Sequence, residues 1–136
     1  MKTQIISHQF DINPVPASRP RVSRWSTYYP KKYTKFKKDM EALTGELDTT
    51  PCESLVVVSL RFKIKIPQSW SKKKRLEREN TYCNNNSDID NYIKAMLDSL
   101  NGVYFIDDRQ VVEVFASKKY SNEPRILFTM MEMDND

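Results

Sequence analysis

Histidine is nearly missing from this chain: 136 residues contain one, His8. That excludes a histidine-built metal site and any triad that needs an imidazole base, and a lone His in an apparent strand reads as structural. Cysteine is almost as scarce. Cys52 and Cys83 stand far apart in no paired motif, which excludes a disulfide framework and a zinc site and leaves two reduced thiols. With only 2 Gly the chain has no low-complexity region and no Gly-rich phosphate loop, so a small phosphotransferase is disfavoured. No apolar run approaches the ~20 residues of a membrane span. Met1–Ile6 shows no long apolar stretch with a small-residue cleavage site, so no secretory signal is expected. The expectation is a cytoplasmic protein without a membrane partner; if it is an enzyme, its acid–base and metal chemistry must come from carboxylates and lysines.

What is present is charge, unevenly spread. Residues 1–80 carry 17 Lys and Arg against 8 Asp and Glu, whereas residues 81–136 carry 5 against 10. A basic half joined to an acidic half suggests a polyanion partner and a separate carboxylate cluster. The length is that of one domain.

Thr3 to Ile12 reads as a strand. Asn13 to Arg21 holds Pro14, Pro16 and Pro20, which rules out a helix and favours an extended loop. Arg19, Arg21 and Arg24 interleave there with Trp25, Tyr28 and Tyr29. Pro30 opens a helix over about 31–47, with Tyr33, Phe36, Met40, Leu43 and Leu47 at steps of 3 and 4. Leu55 to Ile66 is the clearest strand: Val58, Leu60, Phe62, Ile64 and Ile66 alternate with Ser59, Arg61, Lys63 and Lys65, which puts a basic face opposite the core face. Residues 67–87 form a long connection, with a short exposed helix near 69–79 carrying Lys72, Lys73, Lys74, Arg75 and Arg78. A second helix starts at Ser87 or Asp88, buries Ile89, Ile93, Met96, Leu97 and Leu100, and stops at Asn101-Gly102. Gln110–Tyr120 and Arg125–Met133 read as strands joined by Ser121–Pro124 in an antiparallel hairpin. The fold class is α+β, a single domain over 1–136 with a mixed β-sheet and two main helices in the order β-α-β-α-β-β.

On the second helix Asp90, Lys94 and Asp98 follow at i, i+4 and i+8 along one face. Asp88 sits at its start, and Asp107 and Asp108 follow a short loop after its end, so up to four carboxylates converge if the next strand packs beside it. Close like charges repel, and Mg²⁺, which takes hard oxygen ligands, is the natural counter-ion. A neighbouring lysine stabilises charge on a phosphate oxygen, while metal ions activate water and align the attacking and leaving oxygens. Without further information, capping at Asp88, an ordinary Asp90–Lys94 pair and a simple turn at Asp107-Asp108 explain the same residues.

The run Asp88-Ile89-Asp90-Asn91-Tyr92-Ile93-Lys94, continued by Asp98 and Leu100, resembles the D-x-D-N-x-x-K-x-x-x-D-x-L segment of the RusA family of Holliday-junction resolvases. Asp107-Asp108-Arg109-Gln110-Val111-Val112 resembles the D-D-x-Q-V-V segment that follows it, at the family's separation, and Pro20-Arg21 with the tyrosines nearby resembles an element of phage-type members. The strong part covers residues 87–112. The resemblance implies a RusA-like fold and a homodimer that cuts four-way DNA junctions symmetrically with Mg²⁺, Mn²⁺ substituting, and no small-molecule cofactor. It implies Asp88, Asp90, Asp108 and Lys94 as catalytic residues, and Asp88, Asp90, Asp107 and Asp108 as metal ligands, with the role of Asp107 less defined. A phage or prophage origin fits. Ser87 and Asn84–Asn86 depart from the family, many members of which carry basic residues or proline there. Arg19, Arg21, Arg24, Lys72, Lys73, Lys74, Arg75 and Arg78 are the expected phosphate contacts, and Trp25, Tyr28, Tyr29 and Trp70 are the candidates for stacking on bases, with core packing as the alternative. For the dimer surface, the C-terminal strands and the 31–47 helix both qualify. Two other readings stay open: a less selective branched-DNA nuclease, and a non-catalytic junction-binding module whose carboxylates only cap a helix.

Overall fold

A computed structural model describes residues 4–133. Thr3, where the first strand was expected to begin, and the last three residues lie outside them. The elements are β1 (Ile5–Phe10), β2 (Arg21–Val22), β3 (Thr27–Tyr28), α1 (Lys31–Gly45), β4 (Val56–Lys65), α2 (Lys72–Arg78), α3 (Ile89–Leu100), a 3₁₀ turn (Asp108–Gln110), β5 (Val111–Ser121) and β6 (Arg125–Glu132). No helix among the described residues is long and apolar enough to cross a membrane.

β4 organises the molecule. Its even-numbered side chains from Val56 to Ile64 are all buried, so this face must be covered and both edges paired. The sheet order is β1-β6-β4-β5, with β6 antiparallel to both β1 and β4, and β5 parallel to β4. α1 and α3 cover the face that carries Val58, Leu60, Phe62, Ile126, Phe128 and Met130. Among the described residues no helix lies on the opposite face. The expected α+β architecture with a mixed sheet is the one found.

The expected β5–β6 hairpin is not. The two strands do not pair; β4 lies between them. The cause is the crossover. The chain leaves β4, passes through α2 and α3, and returns at the same end, and a helical crossover of this length makes the next neighbour parallel. The other edge of β4 is then the open slot. The turn at 122–124 carries the chain over the end of β4 to fill it, where the Ile66 N–H donates to the Ser121 carbonyl (3.3 Å).

The long connection is also more ordered than its composition suggests. After α2, residues 80–83 run along the free edge of β5: the Asn80 and Cys83 N–H groups donate to the carbonyls of Tyr120 and Lys118, and the Tyr120 N–H to that of Thr81 (2.9, 2.9 and 3.0 Å). The expected loop after β1 ends in a small exposed hairpin, Arg21–Val22 paired with Thr27–Tyr28. α1 stops at Gly45, two residues short of the expected end, and buries Tyr33, Phe36 and Met40. α3 buries Tyr92, Ala95, Met96 and Leu100, with Ile93 and Leu97 partly covered. Its buried stripe is turned from the expected one toward Tyr92 because the sheet and α1 both cover it.

Candidate active site

Two aspartates occupy the same local position, the residue just before a helical turn, and the chain uses them differently. Asp107 caps the 3₁₀ turn. Its carboxylate accepts from the Arg109 N–H (3.0 Å) while the Gln110 side chain accepts from the Asp107 N–H (2.9 Å), a complete capping box. Gln110 also donates to the carbonyls of Cys52 and Ser54 (2.7 and 2.8 Å), which fastens the turn to the start of β4. Asp88 precedes α3 in extended conformation (φ −74°, ψ 143°), yet its side chain makes no capping hydrogen bond. Asp90, in the first turn, is exposed. The carboxylates of Asp88 and Asp90 are therefore not consumed by the helix that carries them.

One turn beyond Asp90 on the same face, Lys94 Nζ lies 3.2 Å from Asp98 Oδ2. Asp98, by hydrogen bond and charge, raises the Lys94 ammonium above its ordinary range, and Asp108 adds to this. Lys94 is thus held protonated. Asp108 behaves in the opposite sense to Asp107: burial, then the neighbouring Asp107 and Asp98, push its carboxyl up, and Lys94 partly offsets them. The Arg109 N–H holds Asp107 below the usual carboxylate range. The structure thus brings Lys94, Asp98, Asp107 and Asp108 together.

It does not draw all the expected acids to one point. Asp90 and Asp98 are separated by about 12 Å along the helix axis at 1.5 Å per residue, and among the described residues no three acidic, Cys or His side chains are grouped closely enough to hold a metal ion. The acids form two sets, Asp88 with Asp90 at the head of α3 and Asp98 of α3 with Asp107 and Asp108 of the 3₁₀ turn, and Lys94 stands between them in sequence. Asp98 lay on the expected face by its i+8 spacing but was not among the expected site residues.

The N-terminal arm closes one side. The Ala17 N–H donates to the Asn91 carbonyl (2.8 Å), so the proline-rich segment lies across the start of α3. Between arm, α1 and α3 opens a cleft of about 440 Å³ lined by Ser18, Arg19, Tyr29, Tyr33, Lys94 and Asp98. Arg19 and the lysine of the motif thus share one cleft. Tyr33, read from sequence only as a core residue of α1, lines it, and burial followed by Asp98 raises its phenol.

A second tie was not legible in the sequence. Lys118 of β5 points to the helix-covered face and donates to Asn85 Oδ1 (2.7 Å) and to the Ser87 carbonyl (2.6 Å), while Asn85 Nδ2 donates to the Tyr92 hydroxyl (2.8 Å). The Asn84–Ser87 segment, which departs from the motif, is therefore anchored directly before Asp88.

The expected DNA contacts fall in two places. Arg19, Arg21 and Arg24 are exposed on the arm and the β2–β3 hairpin. Trp25 sits at the hairpin tip, 86% exposed, with Arg24 over its ring at 5.4 Å. Lys72, Lys73, Lys74, Arg75 and Arg78 lie on α2, which buries no residue; Arg75 alone turns inward, donating to the Pro67 carbonyl (3.2 Å). Of the four aromatics, Trp25, Tyr28 and Tyr29 are exposed, whereas Trp70 packs edge-on to Tyr120 (4.9 Å) under Lys74.

The family model of endodeoxyribonuclease RusA matches residues 11–131, nearly the whole chain. An uncharacterized protein of Bacillus subtilis (strain 168), YqaN, is 30% identical over 129 residues, 88% of this chain and 91% of that protein. The chain belongs to the RusA endodeoxyribonuclease family.

Proposed function

We propose that this chain is a divalent-metal-dependent, structure-selective endodeoxyribonuclease that resolves four-way DNA junctions by paired symmetric cuts. The observation that carries this reading is the bare carboxylate of Asp88 at the head of a helix on which Lys94 pairs with Asp98, with Asp108 of the following turn near enough to act on both by charge. A structural cap would use Asp88, as the 3₁₀ turn uses Asp107.

The donor set fits a hard cation: every available ligand is a carboxylate oxygen, and Mg²⁺ is usually held by one or two of these with water and phosphate completing the shell. Asp88, Asp90 and Asp108 would hold it, with Mn²⁺ a substitute, once the two sets of acids draw together around the cation, since as they stand no three of the described acids are close enough. Asp107, expected among the ligands, is occupied in capping and would act through its neighbour. The cation supplies charge neutralisation and an activated water when bound. Lys94, kept protonated by Asp98, donates to the phosphate oxygen on which charge builds, a contribution of the order of 10²–10³ in rate. Arg19 orients the substrate from the arm. The cationic arm and α2 hold the DNA by its phosphates, and Trp25, with no packing role, stacks at the junction.

Paired cuts call for two copies related by a two-fold axis. Of the two candidate surfaces, α1 has its apolar stripe buried, whereas Ile5, Phe115, Met131 and Met133 are exposed at the end of the sheet nearest the 3₁₀ turn. A homodimer through this patch brings two catalytic ends together. The two buried, unbridged cysteines suit a reducing cytoplasm.

The test uses a labelled synthetic four-way junction, wild type and Asp90→Asn, with and without Mg²⁺. Paired symmetric nicks by wild type with Mg²⁺, and binding without nicks by the variant, are expected. Full cutting by Asp90→Asn sinks the site, and equal cutting of simple forks replaces the resolvase with a less selective nuclease.

A further inference from the structure

The uncovered face of the sheet carries a second cationic feature, away from the catalytic cleft. Register places Lys119 of β5, Lys63 of β4 and Arg125 of β6 abreast on that face. With strands 4.7–4.9 Å apart, the row is about 10 Å long. Arg61 follows two residues along β4, opposite Ser117. Like charges placed directly opposite each other on neighbouring strands destabilise a sheet. The available compensation is small: among the described residues the one ion pair in this group joins Arg125 to Glu123, at 3.6 Å, and Glu123 is largely exposed. Burial, then Lys119, Arg125 and Arg61, lower the Lys63 ammonium below its ordinary range. Arg125 Nε is buried without a hydrogen-bond partner. Tyr82 stands over the group, its ring 4.9 Å from Lys119 Nζ, and Arg61, Lys63, Tyr82, Ser117 and Lys119 line a concavity of about 220 Å³.

We infer that this row, Lys119–Lys63–Arg125 with Arg61, seats a DNA phosphate backbone and gives the protein a second anchor on a junction arm. A polyanion satisfies what the fold leaves unsatisfied, namely several cations crowded on one sheet face, with the Ser117 hydroxyl beside them as a neutral donor. A strand of duplex DNA advances 3.4 Å per nucleotide, so roughly two to three phosphates face a row of this length. The group holds one exposed aromatic and no apolar wedge, so it would grip without reading sequence. The inference rests on the reading of the chain as a nuclease of branched DNA, but it concerns affinity and not cutting. It also accounts for a basic strand face that none of the expected DNA contacts used.

The test is equilibrium binding of a fluorescent four-way junction, and separately of linear duplex, by the full chain across a salt series without divalent metal. Three proteins are compared: wild type, Lys63→Gln/Lys119→Gln, and Lys31→Gln/Lys38→Gln, which removes the same charge from α1. The first double variant should bind on the order of tenfold more weakly at low salt, with the slope of log affinity against log salt reduced by about two, near 0.9 per lost phosphate contact. Its melting temperature should equal or exceed that of wild type, since it loses repulsion and not packing. At saturating protein with Mg²⁺ its cutting should be unchanged. Equal behaviour of the two double variants overturns the anchor. Loss of slope in the Lys63→Gln/Lys119→Gln variant, with a wild type that binds junctions but never cuts them, keeps the anchor and removes the resolvase. A wild type that binds neither DNA overturns both.

Discussion

Asp88 and Asp107 invite comparison because residue type and local position are the same and the outcome differs. Both stand in extended conformation immediately before a helical turn. At Asp107 the turn is only three residues long and must be held to the start of β4, so the carboxylate and Gln110 are committed to backbone groups. At Asp88 the helix is four times as long and buries a continuous apolar face. Packing keeps it in place, and the cap is dispensable. A carboxylate released from structural duty at a helix start, where the helix dipole favours negative charge, is available for chemistry.

The largest effect that would break the comparison is catalytic. Asp88→Asn should remove cutting of a four-way junction by at least about 10²-fold, while changing stability by no more than about 0.5 kcal/mol because no hydrogen bond is lost. Asp107→Ala should show the reverse order of damage: a loss of stability from the missing cap, read by urea unfolding, and a smaller fall in cutting, restored by Asp107→Asn, which caps equally well. If Asp88→Asn unfolds more readily than Asp107→Ala, the division between the two is wrong.

Next in size is the tie that precedes Asp88. Lys118→Met leaves Asn85 Oδ1 and the Ser87 carbonyl without their donor. A hydrogen bond to a charged group contributes about 1.5–3 kcal/mol, and the half-exposed setting puts the expected loss at the lower end. The specific readout is the Mg²⁺ concentration needed for half-maximal cutting, which should rise several-fold, because the Asp88 backbone is no longer fixed. Lys118→Arg should recover most of it. A variant that loses stability with an unchanged Mg²⁺ requirement would show that Lys118 only holds β5.

These residues also mark where sequence reading succeeds. Period-2 alternation located β4 and its basic face, and the 3-and-4 spacing located α1 and α3, because both patterns reflect burial on one side of a local element. The linked motifs around Asp88 and Asp108 pointed to the family whose model matches residues 11–131, because their spacing is local. What escaped depends on topology. β5 and β6 are joined by three residues, which reads as a hairpin, and only the length of the crossover before β5 decides that β4 lies between them. Lys118 meets Ser87 across 31 residues, and Lys63 meets Arg125 across two strands, neither with a local signature. Asp98 was visible on the right face, but its contact with Lys94 and proximity to Asp108 needed the folded turn.

The smallest effect concerns pH and separates Asp108 from its neighbour. Asp108 holds its proton to a higher pH in the folded chain than in the unfolded one, through burial first and then Asp107 and Asp98. Between the ordinary aspartate value and that raised value the folded state binds more protons, so this group makes the protein less stable as pH rises through the window. Asp107, lowered chiefly by the Arg109 N–H, works the other way: its contribution is present above the ordinary value and lost as pH falls through its depressed folded value. Asp108→Asn removes the first dependence. It should therefore melt slightly higher than wild type near neutral pH, where the wild-type carboxylate is charged beside Asp107 and Asp98, and the difference should vanish below the ordinary aspartate value, where both are neutral. Melting curves of the two proteins over about pH 3–7 read it directly. A lower melting temperature for Asp108→Asn at neutral pH would mean that Lys94 outweighs the two aspartates, and Asp108 would then be an ion-pair partner of Lys94 and not a carboxylate kept in strain for a cation.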